Sequence, residues 1–167
     1  MVPDTINGLP LHALSVHATV ILVPLAALLG VLFAVPRLRE WTRFPLPLVS
    51  AAAAVSTWVS VQSGEALDEA GGRGAAGLGG PVAGLVEEHQ ELAEQLLLMV
   101  VAYAVAVSVA VVLARSSSRG VATALSLLVL VGAVAVGVQT YRVGDLGARA
   151  VWNPTDSVDY GATEDGG

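Results

Sequence analysis

Three histidines, His12, His17 and His89, carry the coordination chemistry this sequence offers. Neutral imidazole is a ligand for haem iron and also suits copper and zinc. The chain has no cysteine, which excludes a disulfide framework, a thiolate metal site and an iron–sulfur cluster ligated within it. His12 and His17 are five positions apart, about 140° of rotation and 7.5 Å of rise in a helix, so one small ion cannot easily be gripped by both. Each is better suited to a partner on another helix, and His89 is the candidate. Counted along the helices, His12 and His89 match in height, both outside His17, which lies at the hydrocarbon edge. A ligand the size of haem could involve all three. The bland alternative is three interfacial histidines satisfied by carbonyls, glutamates or water.

Other polar residues carry less. Arg142 and Asp145, three apart, read as an interfacial ion pair, with a haem propionate or a quinone headgroup as the functional alternative for Arg142. Glu65, Asp68, Glu69, Glu87, Glu88, Glu91 and Glu94 read as a solvated acidic surface, with cation recruitment as the sharper alternative. Trp58 reads as packing. No Ser/His/Asp arrangement, Walker A sequence or His-Glu-x-x-His motif is present, so hydrolase and nucleotidase chemistry has no support and no independent catalytic activity is expected beyond electron transfer.

The elements that must position these residues are membrane helices. With 54% hydrophobic and 13% charged residues and a mean hydropathy of +0.71, the chain is too apolar for an ordinary soluble domain. The net charge of −6 comes from acids concentrated between the second and third apolar runs and near the C-terminus. All eight basic residues are arginine and form no strong run, which argues against nucleic acid. Residues 14–35 are almost entirely apolar, about 33 Å of helix, and read as a retained span with Pro24 inside it. Residues 45–61 are rich in Ala and Ser and suit close helix contact, marginal as an isolated span. Residues 62–80 read as a mobile glycine-rich loop with at most a helical turn at 65–70. Pro81 suits the first turn of a helix running on to about Arg115. Its first half places Val82, Leu85, Val86, His89, Leu92, Ala93 and Leu96 on one face and the glutamates around the other. Residues 96–114 make the third span and 121–138 the fourth.

These readings give an all-α, four-transmembrane-helix bundle over residues 11–152, preceded by a short segment 1–10 and followed by an acidic, disordered tail 153–167. Arg37, Arg39 and Arg43 in the first loop and Arg115 and Arg119 in the third put those loops in the cytoplasm, and hence both termini and all three histidines on the extracytoplasmic side. Arg142 and Arg149 count against that orientation.

The pattern resembles the bacterial membrane-protein family DUF2231. Its members open with Leu-His-Pro-x-x-Val-His-Phe-Pro, follow a small-residue second span with a Ser/Thr-Gly step, place a histidine before the third span and close the fourth with a Gly-Gly-x-Leu-type segment. Here these are Leu11-His12-Ala13-Leu14-Ser15-Val16-His17-Ala18-Thr19, Ser63-Gly64, His89 and Val143-Gly144-Asp145-Leu146-Gly147. Ala13, Ala18-Thr19 and Asp145 depart from the pattern and leave the histidines in place. The resemblance implies a multi-pass protein of the bacterial inner membrane. It implies a layout similar to small haem-b membrane cytochromes, and fusions of related domains to Rieske-type modules favour a redox setting. Three histidines support at most one bis-histidine haem.

The leading expectation is therefore a redox subunit binding one haem b through His12, His17 and His89, with Arg142 nearby, passing electrons between a quinone and an extracytoplasmic redox protein. Copper or zinc on the same histidines with Glu88 or Asp145, in a metal-binding or transport-accessory protein, is the second. A purely structural membrane subunit, in either case with room for a homo-oligomer, is the third.

Overall fold

The computed structural model describes residues 5–70, 80–115 and 118–157. Four long helices dominate it: α1 (Leu11–Ala34), α3 (Pro45–Ala70), α4 (Gly80–Leu113) and α5 (Arg119–Trp152), with a single turn, α2 (Arg39–Thr42), between the first two. Each of the four is long and apolar enough to cross a membrane. Each packs on its neighbours in the order α1, α3, α4, α5 and back to α1, leaving α1 opposite α4 and α3 opposite α5. This is an up-and-down bundle, the arrangement short connections favour.

The helix ends have local causes. Val35, the residue before Pro36, is extended (φ −81°, ψ 116°) because the proline ring disfavours helical backbone at the preceding position, and α1 stops there. Ser118 caps α5, its side chain accepting from the Val121 amide. Ahead of α1 a two-residue turn, Asn7 (φ 50°) and Gly8 (φ 80°), joins strands β1 (Thr5–Ile6) and β2 (Leu9–Pro10). Asn-Gly supplies the left-handed conformations that a tight hairpin needs. This hairpin lies inside what the sequence offered only as a short N-terminal segment.

One expectation changes. The polar stretch after residue 61 is not a loop from residue 62 onward, because α3 runs on to Ala70. Ser63 is buried against Ser15 and the Ser60 carbonyl accepts from His12, so that extension has tertiary partners. Likewise α5 continues as helix past residue 138 to Trp152, with Gln139 buried and bonded to the Leu92 carbonyl. The remainder of the expected glycine-rich loop, 71–79, and the tail beyond 157 lie outside the described residues.

The core is built from Val23, Phe33, Leu46, Val100, Val107 and Val129, each nearly or fully buried. The outward faces are apolar as well: Val20, Ile21, Leu48, Leu98, Val131 and Val138 are all exposed. A bundle apolar inside and out belongs in lipid, where every backbone group is satisfied within its own helix. At 34 residues each, α4 and α5 reach about 50 Å, some 20 Å more than the hydrocarbon is thick. The excess projects at the end where α1 begins, and the exposed Glu87, Glu88, Glu91 and Glu94 mark that part of α4 as lying outside the membrane.

The two helical hairpins repeat one another. Buried Ser15, Thr19, Val23, Ala26 and Phe33 of α1 recur at a constant chain offset as Leu92, Leu96, Val100, Tyr103 and Ala110 of α4, and Leu46, Ser50 and Ala53 of α3 recur as Val129, Ala133 and Val136 of α5. Ser50 is the exception to satisfied burial, its Oγ enclosed without a hydrogen-bond partner among the described residues. Nothing in the structure explains that hydroxyl.

Candidate metal or haem centre

His12 sits in the first turn of α1, half-buried, with Nδ1 2.9 Å from the Ser60 carbonyl of α3. His89 sits in the projecting part of α4, also half-buried, with Nδ1 2.9 Å from the Val143 carbonyl of α5. A carbonyl only accepts, so in the neutral rings the proton is on Nδ1 and Nε2 keeps its lone pair. Neither Nε2 bonds a described residue. This is how ligating histidines are prepared: the hydrogen bond on one nitrogen sets the tautomer and aims the other.

The rings are seated against glycine. A Cβ at Gly64 would lie 3.1 Å from His12 Nδ1 and Cε1, and one at Gly147 would lie 3.0 Å from His89 Cε1. Each glycine stands one helical turn after the carbonyl that anchors the ring. The site is thus one device made twice, once in each hairpin, and it puts the two imidazoles on opposite helices at one end of the bundle. They are near enough for a charge on His12 to oppose charging His89. Burial is the larger cause holding His89 below the ordinary imidazole value, against the raising effect of its bond to Val143. Burial therefore favours the neutral ring.

Beneath His12 the α1–α3 contact is a ladder of hydroxyls. Ser15 and Ser63 meet at 3.2 Å, Thr19 and Ser60 at 2.9 Å, and Thr19 reaches Ser56 at 3.3 Å. Beneath His89 the layer is different: Gln139 donates to the Leu92 carbonyl at 3.2 Å and accepts from Arg142 at 3.4 Å. The spacing of His12, Ser15 and Thr19 along one helical face was the available signal for the ladder. Gln139, a lone amide in an apolar run, was the signal for the second layer.

Among the described residues no other candidate bonds either ring. His17 is exposed, its Nδ1 2.6 Å from the Ala13 carbonyl of its own helix. Arg142 is exposed and held by Gln139. The expected Arg142–Asp145 pair gives way to an Arg149–Asp145 bridge at 3.0 Å, because a helical turn of four residues brings those two side chains together. Glu88 is exposed. Trp58, expected in packing, is 49% exposed on the outer face. Among the described residues no group of three or more His, Asp or Glu forms a metal cage.

A four-helix membrane bundle with two half-buried, carbonyl-anchored imidazoles at one end is the class these observations define. The chain matches the family of predicted membrane proteins DUF2231 over residues 8–158 and belongs to that family. No curated protein and no solved structure matches it.

Proposed function

We propose that this chain is a membrane redox subunit that holds one haem b between His12 and His89. The observation that carries the reading is the donor set: two imidazoles on opposite helices, each with Nδ1 committed to a backbone carbonyl, and no group of three or more His, Asp or Glu among the described residues. A bis-histidine haem would need only two protein ligands, whereas a structural zinc ion needs about four. The donor set therefore fits haem better than zinc. When bound, the haem supplies one-electron chemistry. The protein's own contribution is to aim Nε2 of both rings and keep His89 neutral, and Arg142 at the same end is the cation available to a propionate or a quinone headgroup. The arginines flanking the opposite end favour placing the histidines on the extracytoplasmic side of a bacterial inner membrane, where an extracytoplasmic redox protein would exchange electrons with the subunit and a quinone would reach it from the bilayer.

A copper ion held by the two rings is the second reading, favoured by their anchoring in the same way at one end of the bundle. Both readings are tested by oxidised and dithionite-reduced absorption spectra of the purified protein, expressed with haem supplied, together with metal analysis of the same sample. Soret and α bands that disappear in His12→Ala and in His89→Ala are the expected result. A colourless sample with stoichiometric copper would move the assignment to metal handling. A colourless and metal-free sample would overturn both and leave a structural subunit.

A further inference from the structure

The opposite end of the bundle carries its own cluster of cations. Arg43, at the end of α2, and Arg115, just past α4, converge on a surface cavity of about 250 Å³ whose remaining walls are Phe44, Pro47, Val111 and Val112. A smaller cavity beside it shares Arg43, Val111 and Arg115 and adds Arg39, Glu40 and Phe33. Three guanidiniums thus face one carboxylate, and that carboxylate, Glu40, is 79% exposed where it meets Arg43 at 3.1 Å. Arg115 makes no ion pair with a described residue. The cations are held in place by aromatic faces: Arg43 lies 4.5 Å from the Phe44 ring centroid and Arg39 5.7 Å from that of Phe33. The rim, Phe44 at 71% and Val112 at 66% exposure, continues into the exposed apolar outer face of the bundle.

We propose that this cleft binds an anionic glycerophospholipid, its phosphate on Arg43 and Arg115 and an acyl chain along Pro47, Val111 and Val112. The argument is complementarity of two kinds in one place. Guanidinium matches phosphate oxygens in fork geometry and is desolvated more readily than ammonium. The apolar wall continues directly from those cations into the hydrocarbon-facing surface, a combination that a free anion does not use and that a lipid with charged head and apolar tail does. Basic pockets between transmembrane helices commonly recognise such headgroups.

The test is native mass spectrometry of the delipidated full chain in detergent, titrated with phosphatidylglycerol and, separately, with phosphatidylcholine of identical acyl chains. Phosphatidylglycerol is expected to bind preferentially. The Arg43→Gln/Arg115→Gln double variant should lose roughly 30-fold of its affinity for phosphatidylglycerol, the effect of two surface guanidiniums of ordinary strength. Arg37→Gln, exposed and outside the cleft, should change nothing, and unchanged helical circular dichroism shows that the variants fold. The exposed single variant Arg115→Gln keeps the Arg43–Glu40 bridge and should lose part of the preference. Equal binding of the two lipids, or an equal loss in Arg37→Gln, would overturn the proposal. Complete competition by inorganic phosphate would reassign the cleft to a free anion and overturn it too.

Discussion

The ring of His89 occupies the space that a side chain at Gly147 would need: a Cβ there would stand 3.0 Å from the ring's Cε1 and 3.3 Å from its Nδ1. The ring cannot simply turn away, because Nδ1 is bonded to the Val143 carbonyl one turn earlier on the same helix. His12 repeats the relationship with Gly64 and Ser60. Position and tautomer of both imidazoles follow from this pairing of one carbonyl with one glycine.

Alanine in place of a helical glycine ordinarily stabilises by about 0.5–1 kcal/mol. At Gly147 crowding of an anchored ring opposes that gain, so Gly147→Ala should destabilise by about 1 kcal/mol and Gly147→Leu by about 1–3 kcal/mol. Gly144→Ala, three residues away with nothing within 4 Å of the new Cβ, should stabilise. Reversible unfolding in mixed micelles compares them, and equal stabilisation by both alanines would show that the glycine does not seat the ring.

Tyr103 crosses the bundle from α4 and donates to the Ala26 carbonyl of α1 at 3.2 Å, with its hydroxyl filling the site of a side chain at Gly30. Gly30→Ala is therefore expected to cost about 1–3 kcal/mol through overpacking. Tyr103→Phe removes the clashing oxygen and should recover much of that loss, so the two changes will be non-additive in a double-mutant cycle. Additive effects would mean that the hydroxyl relocates when alanine is introduced.

Burial chiefly, opposed by the Val143 hydrogen bond and reinforced by His12, lowers the pKa of His89 from its ordinary 6.5. A group depressed in the fold takes its proton more readily in the unfolded chain. Its contribution to stability is thus complete above about pH 6.5 and is lost as pH falls through the lower folded value. The wild-type protein should lose stability between about pH 7 and 5 more steeply than His89→Gln. Parallel profiles would remove His89 as the cause.

Among the described residues His17 bonds only to its own helix, and it is exposed. His17→Ala should change stability by less than about 0.5 kcal/mol and leave any bound haem or copper in place, in contrast to His12→Ala and His89→Ala. Loss of the bound group in His17→Ala, measured by absorbance or metal content, would return His17 to the ligand set.

Local chemistry determined a good deal of this protein. The length and apolarity of four segments fixed the four helices, Pro36 ended the first, and the spacing of Val82, Leu85, His89, Leu92 and Leu96 put His89 on the buried face of α4, where it lies. Rise per residue alone placed His12 and His89 at one end. Those properties belong to single helices and survive in a linear reading. What only the tertiary structure decided is register between helices: that Ser60 and Val143 present the carbonyls, that Gly64 and Gly147 clear space for the rings, that His17 turns outward, and that the polar stretch to Ala70 stays helical. The seating of both rings depends on contacts between residues some fifty positions apart, where a shift of one residue turns a helix by about 100° and replaces a glycine with a side chain.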